Sequence, residues 1–312
     1  MTIGLQLFQS LLVVLAAPLV LGWVNMCRAW LQNRSAPSPW LPYYTLAKLF
    51  HKDAVIAHTT SPIFRITPYV LFGCMALAAG IVPVLASDLP FAPAADIIAL
   101  VGLFATARVF AALAAMDTGT SFGGLGARRE MLVGFLAEPA MLMTLFTAAF
   151  ISGSTQLTTI VQTLAHREFA IYPSLAFAAV AFLMVLLAEN ARVPVDNPTT
   201  HLELTMLHEA QILEYSARHL ALVEWAAAIK LVAYMTIGFA LFVPWGIAGG
   251  SGWGAIPLAL AALAVKLALA GAGLALIETV LAKMRIFMVT EFLSTAFLLA
   301  VLGMLIHFLV RG

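Results

Sequence analysis

Eight apolar stretches of about 20 residues dominate the 312-residue chain and leave it little choice of fold. They run over about 3–29, 67–86, 95–116, 131–151, 171–188, 221–244, 256–279 and 287–310. As a helix, such a stretch matches the thickness of the hydrocarbon core, where a backbone must satisfy its own polar groups. The sequence therefore predicts an all-α polytopic membrane protein with about eight transmembrane helices, forming one domain over 1–312. Composition excludes the soluble alternative, because 62% of residues are hydrophobic and 10% charged, against about 25% charged in soluble domains. A net charge of +1 provides no basic field for nucleic acid. No matching charge or Gly/Pro placement recurs between the halves, which argues against an inverted-repeat transporter.

The basic residues orient the chain. Arg28, Arg34, Lys48, Lys52, Arg65, Arg128, Arg129, Arg192, Arg218, Lys283 and Arg285 fall in the connections at about 30–66, 117–130, 189–220 and 280–286, or beside them. The opposite connections and termini hold only Arg167 and Arg311, while Arg108, Lys230 and Lys266 lie within spans. By the positive-inside rule the first set is cytoplasmic and both termini are outside. Met1 to Ser10 carries no Lys or Arg, and the apolar run after it exceeds a signal core, so the first span reads as a retained helix. Cys27 and Cys74 have neither Cys-x-x-Cys nor Cys/His spacing, so any redox centre belongs to a partner.

Charge concentrates between spans five and six. Six of the fifteen acidic residues (Glu189, Asp196, Glu203, Glu209, Glu214, Glu224) fall there, together with His201, His208 and His219. Read as one helix at about 100° per residue, Glu203 and Glu214 share a face and the histidines stack similarly. Carboxylates beside imidazoles that titrate near neutral pH suit a proton relay. The competing reading is a solvated charged loop. His208-Glu209 starts a zinc-protease pattern, but Ile212 stands where its second His is required.

Charges inside spans are costly. An ionised carboxylate at Glu138, about two turns into span four, costs roughly 2.5–3.5 kcal/mol and should face water or the bundle interior. Pro139 beside it frees the carbonyl of Phe135. The structural alternative is neutralisation by a neighbouring helix such as the one carrying Arg108. Lys266, near the middle of its span, is expected on a hydrated axis, and Glu278, near a span end, to snorkel. The glycines of 117–130 lack phosphate-loop order and read as a tight turn. Residues 43–52 read as an amphipathic interfacial helix.

Two motifs carry a resemblance. Glu189-Asn-Ala-Arg-Val-Pro-Val-Asp196, followed by Glu203-Leu and Glu214-Tyr215, resembles the signature loop of the quinone-site membrane subunit of respiratory complex I. Pro-Thr-Thr-His201-Leu-Glu-Leu-Thr-Met-Leu-His208-Glu-Ala-Gln-Ile-Leu-Glu-Tyr215 is closer to the homologous membrane subunit of formate hydrogenlyase and other group 4, energy-converting NiFe hydrogenases. The stretches around 117–130 and Glu138-Pro139 resemble that subunit too, and residues 46–53 resemble its segment framing a quinone-like cavity. Complex I has Glu-Thr-Asn-Arg where this chain has Glu189-Asn-Ala-Arg192, and three extra residues separate Asp196 from Glu214, which favours the hydrogenase branch.

The resemblance implies a non-catalytic membrane subunit of a multi-subunit oxidoreductase in the bacterial inner membrane. Its implied partners are soluble NiFe-hydrogenase-like large and small subunits, a ferredoxin-like iron-sulfur subunit and antiporter-like membrane subunits. NiFe and iron-sulfur clusters are expected in those partners, with no cofactor and no metal site in this chain. Glu138, Glu203, Glu214 and Glu224 are the acids carried over, with Asp196 and Arg192 in the loop motif. The residues assigned to a proton path are these acids with His201, His208, Lys230 and Lys266. Arg128, Arg129, Glu189 and Arg192 are assigned to docking and the loop motif. A quinone-linked complex I subunit, a free-standing cation transporter and a non-conducting scaffold are the other functional readings.

Overall fold

The computed structural model describes residues 2–57, 59–87, 90–166, 173–196, 208–247 and 256–311. These residues form α-helices and one 3-10 turn, with no strand among them. In chain order the helices are α1 (Thr2–Leu31), α2 (Leu41–Phe50), α3 (Pro62–Ile81), α4 (Ile97–Asp117), α5 (Ser121–Ser152), α6 (Leu157–His166), α7 (Pro173–Glu189), α8 (Glu209–Ile212), α9 (Ala217–Phe242), α10 (Ile256–Val280) and α11 (Ile286–Arg311). Seven are long and apolar enough to cross a membrane: α1, α3, α4, α5, α9, α10 and α11. The other expected span is α7, an apolar helix of 17 residues.

Local chemistry sets the helix ends. α3 starts five residues before its predicted position because the Ser61 side chain accepts from Ile63 N and Pro62 occupies the first turn. It stops at Ile81 because Pro83 cannot continue a helix and drives Val82 into an extended conformation. The side chain of Asp96 caps α4 by accepting from Ile98 N at 2.7 Å, and also accepts from Thr155 Oγ1 at 2.7 Å, tying α4 to the start of α6.

The glycine-rich stretch is not a turn. Thr120 caps α5 and the helix continues unbroken through Gly123, Gly124 and Gly126, leaving a short link after α4. The glycines serve close packing: a Cβ on Gly126 would stand 2.8 Å from the Cβ of Ala210 on α8. At 32 residues α5 is about 48 Å long, so its ends project beyond the roughly 30 Å of hydrocarbon.

The central bundle packs α5 against α4, α7 and α11, and α3 against α4 and α9. α1 links α3 and α9 to α10, the least buried of the membrane helices. The core is built from alanine and branched aliphatic residues, with Phe104, Phe182 and Tyr234 at its centre. α2 lies across α1 and α9, and Tyr43 there donates to Leu15 O at 2.5 Å.

Candidate functional site

Four helices bring charges together inside the bundle. Arg108 on α4 donates through Nη1 to Glu138 Oε1 on α5 at 2.5 Å, and through Nη2 to Oε1 of Glu189, the last residue of α7. Lys230 on α9 places its Nζ 2.9 Å from Glu189 Oε2. The cluster balances two cations against two carboxylates. Moving one such ion into a low-dielectric medium costs on the order of 20 kcal/mol in the Born limit, which makes the pairing necessary. Gly134 makes room for it, since a Cβ there would lie 2.2 Å from Arg108 Nη1. Tyr234 and Phe104 stack at 4.8 Å beside the cluster, with Lys230 Nζ 6.0 Å from the Tyr234 ring. Arg108 Nε is buried without an acceptor among the described residues.

A second cluster lies at the end of α10. Glu278, whose side chain is 1% exposed, has Oε1 3.0 Å from Arg192 Nη1 and Oε2 3.5 Å from Arg28 Nη1. Lys283 pairs with Asp196 at 2.8 Å, and Met284 N donates to Pro194 O at 2.9 Å.

Between the clusters opens a cavity of about 380 Å³. Arg108, Glu189 and Lys230 face it from the first cluster, and Arg28, Arg192 and Asp196 from the second. Glu130, His208, Glu209 and Glu224 add a further polar rim, while Leu21, Leu71, Met75 and Phe104 make an apolar side. At about 30 Å³ per water, it has room for on the order of a dozen waters. Among the described residues no group of three or more His, Cys, Asp and Glu is placed to hold a metal ion.

The structure thus gathers Glu138, Glu189, Arg192, Asp196, His208, Glu224 and Lys230 into the two clusters and the cavity wall. His201 and Glu203 lie outside the described residues. Glu214 is exposed and does not line the cavity. The single-helix phase argument fails downstream of His208, because α8 ends at Ile212 and α9 begins at Ala217. His208, Glu214 and His219 therefore belong to no common helical face.

That break is pinned from outside. Tyr215 stacks on Phe64 at 4.1 Å and donates to Phe64 O at 3.1 Å, and burial pushes its phenol pKa up. Ser216 Oγ donates to Val55 O at 2.7 Å and accepts from Val55 N at 2.9 Å.

Two in-span charges exchange their expected roles. Lys266 does not line the cavity; its Nζ donates to Val243 O at 2.6 Å and Trp245 O at 2.5 Å, satisfying carbonyls just past the end of α9. Glu278 does not snorkel but is enclosed by two guanidiniums. Arg128 is exposed and Arg129 half-buried near the start of α5, away from the cavity. Sequence reading left Arg28, Arg108, Glu130, Glu209, Glu278 and Lys283 out of the site, although Arg108 and Glu278 each stand out as a charge in an apolar window.

Comparison with known proteins agrees with this architecture. The profile of the NADH dehydrogenase family matches residues 5–309. Formate hydrogenlyase subunit 4 of Escherichia coli (strain K12) is 32% identical over 286 residues, which cover 92% of each chain. Hydrogenase-4 component C of the same organism is 32% identical over 298 residues, covering 95% of this chain and 93% of that protein. A chain from the membrane-bound sulfane sulfur reductase, an archaeal respiratory membrane complex, superposes with a TM-score of 0.80 over 96% of this chain and 98% of its own. At 20% identity that likeness establishes the fold alone. With a family profile matched over nearly its whole length and two near-full-length relatives at 32% identity, the chain belongs to the NADH dehydrogenase family.

Proposed function

We propose that the chain is the proton-path and anchoring subunit of an energy-converting, hydrogenase-type complex in a bacterial inner membrane. In this reading it couples redox chemistry in docked soluble iron-sulfur and NiFe subunits to ion translocation by neighbouring antiporter-like subunits. The observation that carries the reading is Glu189, buried among α4, α5, α7 and α9, bound to cations from two other helices and opening on a charged cavity. A structural ion pair needs no such cavity. A proton path needs both a solvated approach and carboxylates that exchange partners without crossing bare hydrocarbon.

In mechanism, water in the cavity delivers protons to the rim carboxylates Glu130, Glu209 and Glu224 and on to Glu189. Arg108 binds Glu189 and Glu138 with separate nitrogens, so a change of protonation at one alters the field at the other. Glu138 then releases its proton to the outer side of α5 and takes up the proton held by Glu189, which returns both carboxylates to their starting state. Relatives named for formate hydrogenlyase and hydrogenase-4 support the hydrogenase branch of this reading.

The test is made in inverted membrane vesicles carrying the assembled complex. Glu224→Gln and Glu138→Gln keep size and hydrogen bonding but remove the titrating proton. Each is expected to lower ion translocation per electron at least about fivefold, a floor set well below the roughly 10²–10⁴-fold typical of a lost proton-transfer group. Dye-linked activity of the soluble subunits should persist. Normal translocation in both variants would show the carboxylates to be structural.

A further inference from the structure

The segment from Glu189 to Asp196 is fixed at two ends by different elements. At its start Glu189 holds Arg108 and Lys230. At its other end three contacts come from the end of α10 and the link to α11: Glu278 to Arg192 at 3.0 Å, Met284 N to Pro194 O at 2.9 Å, and Lys283 to Asp196 at 2.8 Å. Glu278 differs from the other two because it also reaches Arg28 on α1, so one carboxylate ties three pieces of chain.

α10 needs such ties. It packs chiefly on α1, and lipid offers no hydrophobic force that would press two apolar helices together. Its polar tie to α1 higher up is the Trp23 indole, which donates to Ala268 O at 3.0 Å. Arg28, Asn190, Arg192 and Asp196 all line the cavity, so whatever holds residues 190–196 also sets the cavity's charged wall.

We propose that Glu278 is a positioning residue: it holds residues 190–196 against α10 and α1, and so keeps the charged wall of the cavity in the geometry that couples redox chemistry to ion movement. Removing its charge takes the shared carboxylate from two arginines at once and breaks the tie between Arg192 and α10. α10 then no longer reports its position to the cavity. The coupling part of this inference rests on the proton-path reading above; the positioning part does not.

The experiment uses the assembled complex in native membranes, with Cys27 and Cys74 replaced by Ala and a single reporter Asn190→Cys in the cavity wall. A small water-soluble maleimide measures its labelling rate. Glu278→Gln and Arg192→Gln are each expected to raise that rate about fivefold or more through local opening. The double variant should label no faster than the faster single one, since both break the same contact. Ion movement per electron should fall in parallel, with dye-linked activity kept. If Glu278→Gln does not accumulate, Glu278→Asp, which keeps the charge on a shorter arm, serves the same comparison.

Unchanged labelling in the Glu278 variant, or labelling effects that multiply in the double variant, would overturn the positioning role. Lost translocation with unchanged labelling would instead mark Glu278 as a proton carrier, and it too overturns the inference. Raised labelling in a complex whose Glu224→Gln and Glu138→Gln variants translocate normally would leave the positioning intact and sink only the proton-path reading.

Discussion

Among the described residues Arg108 is the cation that serves carboxylates from two helices, which makes it central to the site. Arg108→Leu leaves Glu138 and Glu189 facing the single charge of Lys230, and the loss of one partner from a buried pair costs about 3–5 kcal/mol. We expect the variant to accumulate poorly and to melt well below the wild type in detergent, with Arg108→Lys intermediate. Gly134 has no charge but sets the same geometry. In Gly134→Ala the new methyl meets Arg108 Nη1, and relieving such overpacking costs about 1–3 kcal/mol. Translocation in Gly134→Ala should drop further than thermal stability alone explains, because the guanidinium moves off its carboxylates. Equal losses of translocation and of folded complex would show Gly134 to be a packing site only. The position of Arg108 on the neighbouring helix is what gives glycine at 134 its meaning.

At the scale of elements, α5 joins the membrane site to the water-exposed surface. Its middle carries Glu138 into the bundle, while its first turns carry the exposed Arg128 and half-buried Arg129. Arg forms bidentate pairs with carboxylates, which suits docking of a soluble subunit. Replacing both arginines with Gln is expected to release the soluble redox subunits from membranes, more completely at high salt, while this subunit still inserts. Retention of those subunits at high salt would move the dock elsewhere. The break between α8 and α9 is the second decisive element. Its apolar spacing reads as a continuous helix, yet Phe64 and Val55 from distant chain hold Tyr215 and Ser216 out of helical register.

For the whole molecule, the 11-to-2 division of Lys and Arg in the connections and termini predicts both termini outside and the cavity-bearing side in the cytoplasm. Single cysteines at positions 311 and 128, in a background without Cys27 and Cys74, test this in intact cells. An impermeant thiol reagent should modify position 311 and spare 128, and the reverse pattern would refute the orientation.

The sequence by itself determined that the chain is helical and membrane-embedded, because the free energy of burying about 20 apolar residues is a local sum that needs no knowledge of neighbours. It also singled out Glu138 and Lys230 as charges within spans, where they are costly to leave in lipid, and Glu189 and Glu224 as part of the charged stretch between spans five and six. Their partners were decided by tertiary structure. Lys266 and Glu278 show the limit clearly: depth along a span is written in the sequence, but the face a charge occupies depends on which helix packs beside it. Lys266 thus meets backbone carbonyls at the end of α9, whereas Glu278 meets two arginines at a cavity wall. Pairing energies between groups 30 to 250 positions apart, such as Arg108 with Glu138 and Arg28 with Glu278, exist only once the bundle has closed.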